Sequence, residues 1–417
     1  MASPVCTQHT RTPASFVSAR STLAKPIAPE IGRSPAATRS TAAAARGMDR
    51  RHPMNFSAPP AIPAPLCDIP DYAREAQARL PEMAWEYLSG GAADEVTLRG
   101  NREAYDRLRL CPRALVDVSK LDTRVTLLGR EHALPLLLAP TAYQRLTHPE
   151  GDLATAQGAG AAGVTMVASI FATDTIEATA AVATQPLWFQ LYVQPDRGLT
   201  RSLVERAAAA GCEALVLTVD TPVLGPRYRE LRTRFALPPG LERANLKGRA
   251  FAATANRPTA DNIYSPTLDP KVTWQDLDWL RSLTPLPLLL KGIINPEDAE
   301  RAVQAGVAGL IVSNHGGRNM DTIPPTIDVL PDIAARVAGR LPILVDGGIR
   351  RGTDILKALA LGASATLIGR PYLYGLAVDG AAGVARVVNI LRREFEMAMA
   401  TSGRTSVAAI DASVIWR

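Results

Sequence analysis

The chain has 417 residues, 47% hydrophobic and 21% charged, enough for one large domain or two ordinary ones. That composition excludes collagen-like, coiled-coil and disulfide-scaffold classes. The formal charge of +6 would draw a nucleic acid or an anionic membrane, yet residues 1–65 carry eight Lys/Arg against Glu30 and Asp49, so the whole surplus is theirs.

Residues 1–65 are rich in Ala, Ser, Pro and Arg and lack apolar periodicity, so disorder is expected there. Three readings compete: an organellar transit peptide, a low-complexity tail, or a start set too early, with Met48 or Met54 as the real one. The first implies a chloroplast or mitochondrion, the last the cytoplasm. Residues 66–417 are neutral and form the folded domain, with no nucleic-acid partner expected. Cys6, Cys67, Cys111 and Cys212 are scattered without CxxC or metal-ligand spacing, which points to a reduced compartment and no metal site. No apolar run approaches the ~18 residues of a membrane span.

Beyond the extension, DIPDYAREAQARLPEMAWEYLSGG reads as two short helices ending at Gly90-Gly91. From Leu134 a period begins. Runs rich in Leu, Val and Ile occupy 134–140, 165–169, 187–193 and 214–220, then 286–292, 309–313, 342–348 and 365–370. Ala-rich amphipathic stretches with a late Gly, such as DLATAQGAGAAG and EDAERAVQAG, lie between most of them. The mean step of about 33 residues is that of a βα unit. Eight such units predict an α/β fold, a closed (β/α)8 TIM barrel, rather than an open sheet. The long gap at 221–285 predicts a lid-like excursion after the fourth strand.

Barrel chemistry sits at the C-terminal strand ends. There the runs carry Gln190 and Tyr192, Thr218 and Asp220, Lys291, then Ser313-Asn314-His315-Gly316-Gly317-Arg318. The last two carry Asp346-Gly347-Gly348-Ile349-Arg350 and Gly369-Arg370. Of five histidines, His9 and His52 lie in the extension, His132 precedes strand one, and His148 sits in a loop where capping suits it. His315 alone falls at a catalytic end, with Arg318 three residues on, and is the candidate base. VDGGIRRG and LIGRP place backbone N–H groups, Arg350 and Arg370 where barrels often bind phosphate. Lys291 ends a buried strand and needs an anionic partner; a Schiff-base nucleophile and a structural ion pair are both open.

These motifs, with EYLSGGAADE, LAPTAYQRLTHPEGD, FQLYV, LTVDTP and SNHGGR, resemble the FMN-dependent α-hydroxy-acid oxidase/dehydrogenase family over about residues 66–410. The resemblance implies FMN as cofactor and oxidation of an L-2-hydroxy acid of glycolate, lactate or mandelate type. The electron acceptor would be O2, or alternatively a quinone or cytochrome; a phosphate-binding aldolase or isomerase is a distant alternative. It further implies His315 as the base that removes a substrate proton, either from Cα or from the hydroxyl, with Asp220 raising its pKa and holding its orientation. Arg227 and Arg318 would clamp the substrate carboxylate, and Tyr87 and Tyr192 would hydrogen-bond carboxylate and hydroxyl. Lys291 would face the flavin N1/O2 edge. Flavin contacts would come from Pro140, Thr141, Ala142, Ser169, Gln190, Thr218 and Ser313. Asp346, Gly347, Gly348, Arg350, Gly369 and Arg370 would hold the ribityl phosphate. By the same analogy the protein is a homo-oligomer, a tetramer. Two departures stand out: Asn319-Met320 replaces the commoner Gln-Leu, expected to perturb loop packing more than chemistry. Phe171 replaces a pocket Trp, leaving room for larger or aromatic substrates.

Overall fold

Each of the eight apolar runs becomes a parallel strand of one closed barrel. The computed structural model describes residues 65–247 and 263–416; the expectations for residues 1–64 and for the middle of the 221–285 excursion lie outside the described residues. The first half contains α1 (Ile69–Arg79), α2 (Glu82–Ser89), α3 (Val96–Arg107), β1 (Val125–Leu127), β2 (Arg130–His132), β3 (Leu136–Leu138), α4 (Gly151–Ala162), β4 (Met166–Ser169), α5 (Ile176–Val182), β5 (Leu187–Leu191) and α6 (Arg197–Ala209). The second contains β6 (Ala214–Thr218), α7 (Tyr228–Arg232), α8 (Asp276–Leu283), β7 (Leu288–Ile293), α9 (Pro296–Gln304), β8 (Gly309–Val312), α10 (Thr326–Val337), β9 (Ile343–Val345), α11 (Gly352–Ala360), β10 (Ala365–Ile368) and α12 (Arg370–Thr401). Strands β3 to β10 pair in sequence order, and β10 closes on β3 through Thr366 opposite Leu136 and Ile368 opposite Leu138.

The strands are apolar throughout because both faces are buried. Leu137, Val167, Trp188, Val216, Leu289, Ile311, Leu344 and Leu367 pack inside the barrel, while Leu136, Leu138, Leu215, Leu217, Leu288 and Leu290 face the helices. Helix boundaries follow their sequence signals. Asp68 caps α1 by accepting the Asp71 N–H at 2.9 Å, with Asp71 reaching back to the Asp68 N–H. Gly163 ends α4 in the left-handed conformation, φ 68°.

Three elements were not legible in the sequence. Helix α3 follows the two expected N-terminal helices. The β1–β2 hairpin turns at Leu128-Gly129, both with positive φ, and buries Leu127 in the barrel's interior cluster, stoppering the end opposite the site. Its three-residue strands are too short to show alternation. Helix α12 is broken at Asp379-Gly380. By length and composition it could cross a membrane, but half of its most apolar window is buried, with Tyr372, Val387, Leu391 and Phe395 in the core. Its apolarity is that of a core helix.

Candidate active site

The turn after β8 creates the site. His315, Gly316 and Gly317 all have positive φ (57°, 61° and 72°), a conformation that costs a non-glycine residue such as His315 about 1–3 kcal/mol. The structure holds it there: the His315 N–H donates to Ser313 Oγ at 3.1 Å, and His315 Nδ1 lies 2.9 Å from Asp220 Oδ1. With Nδ1 committed to the carboxylate, Nε2 is the nitrogen able to take a proton. Asp220 Oδ1 also accepts from Thr221 Oγ1 at 2.8 Å, while its Oδ2 is buried without a partner.

The net electrostatics of His315 differ from the sequence expectation. Asp220 does favour the imidazolium, but burial outweighs it, and Lys291 and Arg227 add to the burial; the pKa therefore falls below the ordinary value. Asp220 itself is held low: burial opposes its charge, and His315 and Lys291 overcome that opposition.

Asn319 does more than pack the loop, being hydrogen-bonded to the Asp220 side of the His315–Asp220 pair. Its amide donates to Thr221 Oγ1 at 2.5 Å, to Asp220 O at 3.2 Å and to Asp220 Oδ1 at 3.3 Å. Its Oδ1 accepts from Arg227 at 3.3 Å. The left-handed turn brings residue 319 back over the end of β6, which local sequence does not reveal. Met320 points away and is 65% exposed.

The other strand ends form a polar ladder across the barrel mouth. Ser169 Oγ donates to Gln190 Oε1 (3.2 Å), and Gln190 Nε2 donates to Thr218 Oγ1 (3.1 Å). Lys291 Nζ donates to Ser313 Oγ (2.7 Å) and lies 3.0 Å from Asp346 Oδ2. Ser313 Oγ donates onward to Asp346 Oδ1 at 2.7 Å. The anionic partner that Lys291 requires is thus Asp346.

Two arginines stand over this floor. Arg318 donates to the carbonyls of Tyr87 (2.7 Å) and Gly90 (2.9 Å) and to Glu230 Oε1 (3.1 Å). Arg227 donates to Arg318 O (3.0 Å) and Glu230 Oε1 (3.3 Å). Burial, then the neighbouring Arg227 charge, lowers the Arg318 pKa; burial also opposes the Arg227 charge, but Glu230 prevails and raises it. Glu230, on the short helix α7, was missed by sequence reasoning because nothing local marks it. Burial raises both Tyr87 and Tyr192, keeping their hydroxyls protonated as donors.

Tyr87, Ser169, Gln190, Tyr192, Thr218, Arg227, Glu230, Lys291, His315, Arg318 and Asp346 line one cavity of about 550 Å³, together with Pro140, Thr141, Ala142, Gly347, Gly348, Arg350, Gly369 and Arg370. That volume is typical of small-molecule sites. Arg370 is less free than a phosphate fork was expected to be. Its Nε, Nη1 and Nη2 each donate to a carbonyl, of Leu88 (3.0 Å), Gly316 (3.0 Å) and Gly90 (2.8 Å), so it offers charge and its remaining N–H groups. Among the described residues, neither Arg350 nor Arg370 has a carboxylate within ion-pair distance. Burial, then Arg318 and Arg350, press the Arg370 pKa down. A bound anion is what this corner lacks electrostatically, and a phosphate ester beside Gly369 at the start of α12 satisfies it. Lys291, Gln190, Ser169 and Thr218 supply donors and acceptors for a polar ring system on the floor. The residues present therefore fit FMN.

Close packing shapes the phosphate corner. Gly348 has φ +87°, and a Cβ there would lie 2.1 Å from the Asn101 carbonyl. Asn101 and Asn314, another pair the sequence did not disclose, exchange amide bonds of 3.0 and 2.8 Å beneath it. Gly348→Ala is expected to lose about 1–3 kcal/mol of stability and most FMN affinity, read by thermal melting and flavin titration. Among the described residues the other two histidines are held locally: His132 Nδ1 meets Thr165 Oγ1 at 3.1 Å, and His148 Nδ1 accepts the Glu150 N–H at 3.2 Å.

A (β/α)8 barrel with a half-buried His–Asp pair, two arginines on the cavity wall and a cationic, glycine-lined corner has the layout of an enzyme for an anionic organic substrate and a phosphate-bearing cofactor. The family model for FMN-dependent dehydrogenases matches residues 76–417, and the chain belongs to that family. It is 49% identical to an L-lactate oxidase of Nostoc sp., covering 85% of this chain and 99% of that protein. It is 45% identical to glycolate oxidase 1 of Oryza sativa subsp. indica, covering 84% and 96%. The structure matches that of a mandelate oxidase with (S)-4-hydroxymandelic acid, with TM-score 0.77 and 42% identity over 84% and 98% of the chains. The protein is an FMN-dependent oxidoreductase of the 2-hydroxy-acid oxidase family.

Proposed function

We propose that the protein oxidises an L-2-hydroxy acid to the 2-oxo acid, with O2 taking up the two electrons and two protons as hydrogen peroxide. The observation that carries this reading is the His315–Asp220 pair at 2.9 Å on the cavity that Arg227 and Arg318 share. Arg318 and Arg227 hold the substrate carboxylate; with Glu230 between them they carry one net positive charge, which that carboxylate neutralises. The hydroxyls of Tyr87 and Tyr192 donate to the substrate oxygens. His315 Nε2 accepts the proton of the hydroxyl group as the carbonyl forms, and the Asp220 carboxylate beside Nδ1 stabilises the imidazolium that results. FMN, when bound, supplies the two-electron acceptor for the Cα–H bond. Lys291 stabilises negative charge at the floor of the site, a pair at ~4 Å being worth roughly 4 kcal/mol at an effective dielectric of 20.

The test is turnover of L-lactate, glycolate and L-mandelate in air with peroxide detection. Stoichiometric peroxide is the expected result. Activity that appears only with a dye or quinone and yields no peroxide would overturn oxygen as the acceptor while leaving hydroxy-acid oxidation intact.

A further inference from the structure

Among the described residues lining the cavity, one cation serves neither the reaction above nor the phosphate corner. Arg243 lies on its wall, away from the strand-end floor. Its Nε donates to Tyr143 Oη at 2.8 Å, and its guanidinium stacks over Phe171, 4.8 Å from the ring centroid. The adjacent Glu242 is turned to Lys247, 3.0 Å away. Among the described residues no carboxylate lies within ion-pair distance of Arg243, so aromatic faces and a phenol hold it, not an acid.

The side chain is mounted on pinned backbone. The Ala244 N–H donates to Ala172 O at 3.0 Å, and Asn245 is buried with its Oδ1 accepting the Ile176 N–H at 2.9 Å. Arg206 grips Asn245 O at 3.0 Å. Phe171 in turn stacks on Tyr192 at 5.3 Å. Arg243 therefore stands at a fixed place beside the residues that surround the substrate's side chain.

Its distance from the carboxylate clamp is also bounded. Tyr143 stands 5.7 Å from Tyr87 by ring centroids, and Arg318 lies 5.0 Å from the Tyr87 ring. The Tyr143 hydroxyl feels both Arg243 and Arg227. Arg243 and Arg318 thus stand on either side of the Tyr143–Tyr87 pair and line the same cavity. Arg227, Arg318 and Glu230 already balance a single carboxylate. Arg243 adds a further positive charge at the opposite end, with N–H groups beyond the one given to Tyr143.

We propose that Arg243 binds a second carboxylate, and that the preferred substrates are L-2-hydroxydicarboxylates. The proposal rests on the hydroxy-acid reading of the same site and fixes the side chain within it. Phe171, smaller than Trp, leaves space for the guanidinium to lie over its ring, and Tyr143 orients the fork toward the cavity.

The experiment compares L-2-hydroxyglutarate and L-malate with L-2-hydroxypentanoate, in which a methyl group replaces the distal carboxylate, for the FMN-loaded wild type and Arg243→Met. A charge-assisted contact predicts kcat/KM for the dicarboxylates roughly 10- to 100-fold above that for hydroxypentanoate. In Arg243→Met that ratio falls to one or below. A second readout is binding without turnover: 2-oxoglutarate and 2-oxopentanoate are titrated against the oxidised holoenzyme by their shift of the flavin spectrum. The same preference, lost in the variant, is expected. Equal efficiency for the two substrate types in the wild type, or an equal loss for both in Arg243→Met, overturns the proposal and makes Arg243 a strut for Tyr143 and Phe171. If no hydroxy acid is oxidised at all, the reaction assignment fails, and the oxo-acid titration still decides the role of Arg243.

Discussion

His315→Gln is expected to cut kcat about 10³-fold, within the range set by loss of a positioned general base, while the protein remains yellow. The colour persists because His315 stands apart from the phosphate corner formed by Gly347, Gly348, Arg350 and Arg370. Glutamine preserves much of the volume and can still donate to Asp220, but it cannot take up a proton at neutral pH. The pH profile supplies the sharper test. Burial lowers the His315 pKa below its ordinary value, so the neutral base prevails at pH 7. The kcat/KM of the wild type should therefore be flat above pH 7 and fall with acid through a pKa below about 6.5. Asp220 is the group that opposes this depression. Asp220→Asn removes the opposing charge, so the acid limb should move to still lower pH while the plateau drops. A limb that moves upward or stays in place would refute Asp220 as the group that opposes the depression.

The same comparison shows where the sequence was informative. The barrel was legible because eight apolar runs recur at a regular step, and that regularity placed Gln190, Thr218, Lys291, Ser313 and Asp346 at one mouth. Their mutual contacts follow from register: Thr218 lies opposite Lys291 across β6 and β7, and Ser169 opposite Gln190 across β4 and β5. Residues delivered by irregular chain were not legible. Glu230 arrives on a five-residue helix and Arg243 on a turn, and Asn319 folds back through three consecutive positive φ angles. No period marks such positions, so their roles emerge only from tertiary packing. The His315 pKa illustrates a second limit. The carboxylate partner was readable from motif, but its effect competes with burial, which depends on everything packed around the ring.

Arg318→Lys is expected to lower kcat/KM for 2-hydroxy acids about 10²- to 10³-fold, chiefly through KM, as befits loss of a buried charged contact. The guanidinium performs several tasks at once. It donates to two carbonyls at the end of α2 and to Glu230, and it stacks on the Tyr87 ring at 5.0 Å. A lysine ammonium is a single point with three donors and no planar face, so it cannot span these partners and also present a fork to a carboxylate. With Arg318 gone, Glu230 remains on Arg227, 3.3 Å away, and competes with the incoming substrate for the one bidentate cation left. The variant thus loses an attraction and strengthens a competitor. Glu230→Gln in the Arg318→Lys background should recover part of the KM, since it removes that competing anion. Substrate esters separate this from a purely structural loss. A 2-hydroxy ester carries no carboxylate charge, so its already poor efficiency should change little on Arg318→Lys. A fall as large as that for the acid would instead assign Arg318 to holding Tyr87 and Gly90 in place.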